Sequence, residues 1–440
     1  MGLVTTTVTP SSTSDAPEVI VLQEPTGRRR VIGGLTIALG LIIIFGFGLG
    51  SASGTHSQFT FTPVNTSSGA PWSIGALTVL TRWWNIGLGL VALAIGVETW
   101  VRRPKGALAR FGVAGIIFFL TLLLWASRQP GPDQTSSINL TSVLIGSSGI
   151  AMVLIYGSLS GVLCERSGVV NIAIEGQFIG GALAGAMVDS TTNSFWLAAL
   201  VGIIVGGLIG WLLALLAVRY IADQIIIGVV IVTLLGAMSS YLNIQVLAPY
   251  PNLNVGNNPS NVAIPLLYKI PILGPVLFNE NMFFYASIVL VGLVSFGLFR
   301  TRWGLRVRSV GEHPKAAESV GINVARVRYS TVILGGAVAG LGGVAFIAIQ
   351  GQFQPGITSG LGYIALAAMI FGKWKPSGAV VASILFGVSA YLVDALQSYS
   401  IPISTELLTM FPYLVTIAVG AGLVGRVRAP ANDGVPYKRD

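Results

Sequence analysis

The sequence predicts an all-α fold, a polytopic bundle of transmembrane helices, and three observations support this. The 440-residue chain is 53% hydrophobic but only 9% charged, with a mean hydropathy of +0.79. An ordinary soluble protein is about one quarter charged, so most of this apolar surface must face lipid. Apolar stretches of about 20 residues, enough to span a hydrocarbon core of about 30 Å, recur along the chain. Lysine and arginine concentrate in alternate loops, as expected of a multi-pass membrane protein.

We expect about twelve spans, with ten or eleven as the alternatives because two segments are ambiguous. The segment at 168–188 carries Glu175 among glycines, and the segment at 360–372 is too short to cross a bilayer unaided. Either could be re-entrant or broken, which a membrane permits only where protein covers the backbone. The expected spans lie at 31–50, 83–100, 109–127, 140–163, 168–188, 195–218, 224–247, 281–300, 329–350, 360–372, 378–397 and 406–425.

The distribution of basic residues predicts the orientation. With both termini in the cytoplasm and twelve crossings, 22 of the 25 lysines and arginines fall on the cytoplasmic side. This positive-inside bias favours an even number of spans and explains the net charge of +9 without nucleic acid. A single cysteine, Cys164, and two widely separated histidines argue against a disulfide framework or a metal site. We therefore expect a multi-pass protein of the plasma membrane, in contact with lipid, that has neither metal nor cofactor.

The chain divides into four parts. Residues 1–30, rich in Ser, Thr and Pro, are expected to form a disordered cytoplasmic tail, and 31–139 an N-terminal extension with three spans. Residues 140–428 would form the transmembrane core and 429–440 a second cytoplasmic tail. The outside loop 248–280 is dense in Pro and Asn, cannot be one helix and could offer a docking surface. In the inside loop 301–328, Pro314 suits a first helical position, which predicts a short helix ending at Gly321.

Sequence motifs exclude several kinds of chemistry. The chain has no GxxxxGK[ST] motif, no GxGxxG motif opening a soluble βαβ unit and no HExxH motif, so we expect no catalytic residue and no ATP hydrolysis by the chain itself. Secondary carriers, channels and the permeases of ATP-binding cassette (ABC) transporters remain. A proton-coupled carrier normally needs several acids near the membrane midplane, whereas only Glu175 is clearly deep. A membrane-embedded enzyme is the least favoured class.

The polar group around Glu175 has two interpretations. Asn171, four residues earlier, would share a helical face with Glu175, and Gln177 would point elsewhere. A buried carboxylate is costly unless paired or hydrated, so these three residues either line the translocation pathway or form a hydrogen bond that stabilises the fold. Glycines at four-residue steps, such as Gly202, Gly206 and Gly210, predict close helix packing. This packing would lie within one subunit or, less favoured, against a second polypeptide.

The inside loop also has two interpretations. Its segment GEHPKAAESVGIN would present Ala316 and Ala317 on a short helix between basic flanks. Such a small knob could insert into a groove on a soluble partner and pass motion to the spans. The alternative is a solvated loop that is basic only because it lies on the cytoplasmic side of the membrane.

Several ordered motifs resemble a known family. They are GVLCERSGVVNIAIEGQFIGGA, RTRWGLRVRSVGEHPKAAESVGIN, GGAVAGLGG, GLGYIALAAMIFGKWKPSGA and AGLVGRVRAPANDGVPY. They look like the membrane subunit of bacterial ABC importers of the ribose, nucleoside and branched-chain amino acid permease family, most of all the nucleoside branch that works with basic-membrane-protein lipoproteins. The resemblance runs from about residue 140 to the C-terminus, so residues 1–139 depart from the family pattern.

The resemblance implies partners and site residues. Two permease subunits, this one and a second that would make a heterodimer, would enclose the pathway. Two cytoplasmic ABC ATPase subunits would drive transport, and an extracytoplasmic binding lipoprotein would deliver a nucleoside. A simple sugar, a branched-chain amino acid or a self-sufficient secondary carrier are the alternatives. The family's intramembrane motif corresponds to Asn171, Glu175 and Gly176, and its ATPase-coupling loop to Gly311, Glu312, His313, Pro314, Ala316, Ala317 and Gly321.

Overall fold

The computed structural model describes residues 26–62, 75–102, 106–130, 137–397, 404–413, 416–417 and 428–438. Within these residues, nine helices are long and apolar enough to cross a membrane. The fold is therefore an all-α polytopic bundle with a few short strands. The nine spans are Arg29–Gly48, Thr81–Arg102, Ala109–Ala126, Leu140–Glu165, Phe195–Arg219, Gln224–Leu247, Met282–Arg300, Val324–Gln350 and Pro376–Gln397.

These nine spans confirm nine of the twelve expected segments, two others differ, and the third is not fully described. The segment expected at 168–188 is helical only from Ile174, because Gly168 takes a left-handed conformation (φ 86°) and the chain turns there. The segment at 360–372 is an isolated 11-residue helix, so the prediction that it could be broken is confirmed. Half of the expected span at 406–425 lies outside the described residues, so this span stays a prediction.

Fifteen α-helices are described in chain order. Helices α1, α6 and α7 each continue into a wider π-helical turn, at Ile42–Gly48, Leu215–Arg219 and Asn243–Leu247 respectively. The α-helices are α1 Thr26–Leu41, α2 Thr81–Arg102, α3 Ala107–Ala126, α4 Leu140–Glu165, α5 Ile174–Thr192, α6 Phe195–Ala214, α7 Gln224–Leu242, α8 Leu273–Leu277, α9 Met282–Arg300, α10 Arg302–Glu312, α11 Pro314–Ser319, α12 Val324–Gln350, α13 Leu361–Phe371, α14 Pro376–Gln397 and α15 Thr405–Thr409.

The N-terminal extension is a three-helix unit with a small sheet at one end. Helix α1 begins at Thr26, so the expected tail at 1–30 is too long, and residues 1–25 lie outside the described part. Strand β1 (Thr55–Thr60) pairs antiparallel with β2 (Leu77–Leu80) and β3 (Gln129–Pro130), and parallel with β4 (Ser137–Asn139). Phe59 of β1 and Leu123 of α3 pack with residues of α14. The extension is thus attached to the flank of the core formed by α14.

The core is built around α12, which packs against α4, α5 and α6. Backbone contact between α6 and α12 is close because Gly206 faces Gly336 and Gly340, and a Cβ at any of these glycines would overlap the opposite backbone. This confirms the expectation that the glycine spacing serves helix packing within one subunit.

The two ends of the bundle differ in charge. Seven basic residues lie at 300–328, where α9 ends and α12 begins, and we call this the basic end. The loop there folds into two helices, α10 and α11, of which only α11 was expected. The amphipathic spacing of Trp303, Val307 and Val310 would have predicted α10. At the opposite end, the loop at 248–280 contains α8, two 3-10 turns and the paired strands β5 (Val262–Ala263) and β6 (Asn279–Glu280), so the prediction that it is not one helix is confirmed.

Candidate translocation and coupling sites

A break in the helical backbone lies within the membrane. Helix α12 ends at Gln350, ten residues follow without α-helical structure, and α13 then runs back toward the basic end. With 11 residues and a rise of 1.5 Å per residue, α13 is about 16 Å long, half the thickness of a hydrocarbon core of about 30 Å. The N-terminus of α13 therefore lies near the middle of the membrane.

The carboxylate of Glu175 holds this half-helix. Thr358 Oγ1 and the Gly360 N–H donate to Glu175 Oε1 at 2.6 and 2.9 Å, and the Gly362 N–H donates to Oε2 at 2.6 Å. Two of these donors are backbone groups at the N-terminus of α13, which would otherwise lack partners in lipid, and the positive end of the helix dipole favours an anion. Glu175 is 5% exposed. Its geometry therefore matches the fold-stabilising interpretation.

Asn171 and Gln177 form a separate pair, contrary to the expectation from helical spacing. Asn171 lies in the turn before α5, so it does not share a helical face with Glu175. Instead Asn171 Nδ2 donates to Ser160 Oγ and to Gln177 Oε1, both at 3.1 Å. All three side chains are buried, and they tie the start of α5 to the C-terminal part of α4. Helix α5 begins six residues later than expected, so Asn171 lies outside it.

The expected coupling segment forms a compact corner at the basic end. Pro314 occupies the first turn of α11, and Gly321 has a left-handed φ of 84°. The Ile322 N–H donates to the Ala317 carbonyl at 3.0 Å, closing the helix in the manner of a Schellman cap. Ala316 is exposed, but Ala317 is only 3% exposed and packs with Val310. The expectation that both alanines form the surface of the knob is therefore wrong for Ala317, which faces inward.

Residues 428–438, which we call the C-terminal strap, run across this corner. Arg328 of α12, 1% exposed, donates to the Val435 carbonyl at 3.2 Å and to Asn432 Oδ1 at 3.1 Å. The Asn432 N–H donates to the Gly311 carbonyl at 2.9 Å, and the Tyr437 hydroxyl donates to Glu318. The strap therefore connects α10, α11 and α12. The strap was not expected from the sequence because the segment has no hydrophobic periodicity, although it belongs to one of the motifs that carry the family resemblance.

An acidic pair, Asp433 of the strap and Glu165 of α4, joins the strap to the end of α4. Burial raises the pKa of Asp433 to about 6, despite a hydrogen bond with the Glu165 side chain and the nearby charge of Arg328. Glu165, at the end of α4, accepts a hydrogen bond from Trp374 Nε1 at 2.6 Å, and Arg166 Nε donates to the Trp374 carbonyl at 2.9 Å. The strap thus also reaches the end of α4, which in turn holds the turn after α13 through Trp374.

These features are typical of a membrane transport protein. A broken helix at membrane depth is tolerated where protein covers it or where it lines a protected path, as in transporters. Among the residues that the structure describes, no three His, Cys, Asp or Glu side chains come together as metal ligands.

Comparison with known proteins gives the family. The profile for "Branched-chain amino acid transport system / permease component" matches residues 143–420, so the chain belongs to this family of multi-pass membrane permeases. It is 38% identical over 296 residues to the nucleoside ABC transporter permease protein NupC of Lactococcus lactis, covering 64% of this chain and 92% of NupC. It is 37% identical over 316 residues to the guanosine ABC transporter permease protein NupQ of Bacillus subtilis, covering 68% and 98%.

More distant relatives broaden the comparison. The putative glucose ABC transporter permease protein TsgC13 of Haloferax volcanii is 30% identical, covering 61% of this chain and 87% of TsgC13. Lactococcus lactis and Bacillus subtilis each hold a second match, NupB and NupP, both 22% identical over 53% of this chain and 68% of their own length. No solved structure matches significantly. The family match begins at residue 143, after the N-terminal extension.

Proposed function

We propose that the chain is the permease subunit of an ATP-driven ABC importer for nucleosides. The observation that carries this proposal is its identity of 37–38% to NupQ and NupC over most of their length. The broken helix and the corner at the basic end are the structural features that such a subunit needs.

The basic end would face the cytoplasm, as would both termini. The clustering of seven basic residues at 300–328 supports this orientation. The chain would cross the membrane twelve times: through the nine spans, α5, the half-helix α13 with the preceding break, and the segment at 406–425. An even number of crossings keeps both termini on one side.

ATP would be hydrolysed by separate ATPase subunits that dock at the coupling corner. The coupling residues would be Gly311, Glu312, His313, Pro314, Ala316, Ala317 and Gly321. Of these, His313 and Ala316 are exposed and could touch a partner, whereas Pro314 and Ala317 are buried and could only shape the corner. The strap would carry a push on α11 to Arg328 of α12 and to the end of α4.

The remaining partners would be a second permease subunit and an extracytoplasmic binding lipoprotein. Matches to both NupC and NupB in one bacterium, and to NupQ and NupP in another, support a heterodimer of permeases. The loop at 248–280 would meet the binding protein. The mechanism would be alternating access, with Glu175 holding the half-helix α13 beside the pathway and with Asn171 and Gln177 fixing the start of α5 against α4.

Glucose is the second candidate substrate, because TsgC13 is 30% identical to this chain. A branched-chain amino acid and a self-sufficient secondary carrier are the further alternatives.

The test is uptake of labelled guanosine, glucose and leucine by cells with and without the chain, repeated with the proton gradient collapsed and ATP maintained. We expect chain-dependent guanosine uptake that survives the collapse. Uptake that disappears with the gradient would overturn the ABC assignment, and uptake of glucose or leucine alone would overturn the nucleoside assignment.

A further inference from the structure

A polar cavity of about 310 Å³ lies along the break between α12 and α13. Its polar wall consists of the side chains of Gln350, Gln352, Gln354 and Ser359, all of them exposed. Its volume falls at the lower end of the range of about 300–1,000 Å³ that is usual for small-molecule sites.

The wall is held at both ends. Near the end of α12, Asn254 of the loop at 248–280 exchanges two hydrogen bonds of 2.8 Å with the backbone of Phe353. Near the start of α13, Thr358 donates to Glu175. Phe353 and Thr358, each 1% exposed, point into the protein, whereas Gln352 and Gln354 are exposed. The glutamines are therefore presented by an anchored backbone.

This surface cannot face lipid. The glutamines lie near the end of α12, beside the loop at 248–280, and the wall runs from there to the N-terminus of α13. Carboxamides and open backbone along this path need water or a polar ligand. By contrast, the neighbouring faces of α6, α7 and α9 expose apolar side chains such as Leu208, Val230 and Leu293. The cavity therefore marks the face of the subunit that borders an aqueous path.

The lining indicates the class of ligand. The side chains that line the cavity carry no charge, and the carboxylate of Glu175 already accepts three hydrogen bonds from protein groups. A zwitterionic amino acid or a phosphate would find no counter-ion there, whereas a neutral polar solute needs none. A carboxamide offers a donor and an acceptor side by side, which matches paired groups on the edge of a nucleobase.

We propose that the cavity lined by Gln350, Gln352 and Gln354 is a substrate-contact site, in which the glutamine carboxamides hydrogen-bond the base of a neutral nucleoside passing through the subunit. This inference rests on the proposed function and specifies the residues and the ligand class.

Cysteine labelling tests access to the cavity, because the only native cysteine, Cys164, is buried. In cells that carry the complete transporter, Gln354→Cys should react with a membrane-impermeant maleimide added outside, and excess guanosine should slow the reaction several-fold. The control is Lys269→Cys, an exposed position in the loop at 248–280, which should react without protection. A Gln354→Cys variant that does not react, or that guanosine does not protect, would overturn the site.

Transport rates test the role of the glutamines. Because a separate binding protein would capture the substrate, the change should show in the maximal uptake rate. We expect Gln352→Leu/Gln354→Leu to lower the guanosine rate by about tenfold at equal membrane levels, from the loss of about two hydrogen bonds. Gln245→Leu should keep the normal rate.

The outcomes separate the two proposals. Unchanged guanosine transport by the double variant would overturn the cavity while leaving the proposed function intact. If the unaltered chain imports only glucose and the double variant reduces that import, both the nucleoside ligand and the nucleoside importer are overturned.

Discussion

Two junctions in this molecule each hold a non-helical segment through one buried ionisable side chain, and they are built differently. At the membrane junction, Glu175 receives three hydrogen bonds of 2.6 to 2.9 Å from neutral groups of the segment 358–362. At the basic-end junction, Arg328 makes two bonds of 3.1 and 3.2 Å to the C-terminal strap. Within the described part of the chain, Arg328 Nε and Asp433 Oδ1 have no hydrogen-bond partner.

The difference indicates which junction is able to move. The three donors at Glu175 would be left without an acceptor in a low-dielectric region if the carboxylate withdrew, so this contact is expected to persist through a transport cycle. The strap has exposed residues on the water side, including Val435, and rests on groups whose charge can change. It is the better candidate for a contact that breaks and re-forms.

Replacing Glu175 should give the largest effect. We expect Glu175→Ala to lower the free energy of unfolding by at least about 3 kcal/mol, because three buried donors lose their acceptor. Glu175→Gln should lower the free energy of unfolding by an intermediate amount, because its amide retains one oxygen but places a donor opposite a backbone N–H. The measurement is thermal unfolding of the purified protein in detergent.

The matched control for Glu175 is Glu98, whose carboxylate pairs with Arg110 at 2.8 Å on a partly exposed surface. Glu98→Gln should change the stability by less than about 1 kcal/mol, as exposed ion pairs usually do. If Glu175→Ala melted at the same temperature as Glu98→Gln, the permanent-anchor interpretation would be wrong.

Loss of Arg328 should have the second largest effect and should be local. We expect Arg328→Ala to weaken docking of the strap by about 2 kcal/mol, because two charge-assisted hydrogen bonds disappear. Amide hydrogen exchange of residues 431–437 should accelerate while that of α4 stays slow. Arg326→Ala, on the exposed face of the same helix, is the control. Unchanged exchange in Arg328→Ala would show that the strap does not depend on this side chain.

Much of this architecture was predictable, whereas the partners of the buried side chains were not. Spans such as 140–163 were found because an apolar run of bilayer length has few other solutions. The short helix after Pro314 and the break near 360 were also indicated locally. However, the donors to Glu175 lie 183 to 187 residues away, and Arg328 meets the strap 104 to 107 residues away. Composition and periodicity carry no information on such pairings, so the partners of these side chains could not be derived.

A surface substitution on α11 should affect transport without affecting stability. Ala316 is exposed whereas the adjacent Ala317 is buried against Val310. We expect Ala316→Asp to abolish ATP-dependent uptake at normal membrane levels if the corner docks an ATPase. Ala317→Asp should instead reduce the amount of folded protein, because it buries a carboxylate among apolar groups. Normal transport by Ala316→Asp would remove this face from the coupling surface.

The smallest expected effect is a dependence of strap docking on pH through Asp433. Burial raises the pKa of this carboxyl to about 6 in the docked strap, above its ordinary value, so the docked state binds a proton more tightly than the released state. Docking is therefore favoured at pH 5 and weakens as the pH rises through about 6.

We expect faster hydrogen exchange of the strap at pH 7.5 than at pH 5, after correction for intrinsic rates. Asp433→Asn should remove the difference in exchange rate between the two pH values. His313→Gln, a change in the cleft beside the strap, should retain that difference. If the pH dependence persists in Asp433→Asn, another group titrates. The strap would then lack the switchable contact at Asp433 that distinguishes its junction from the junction at Glu175.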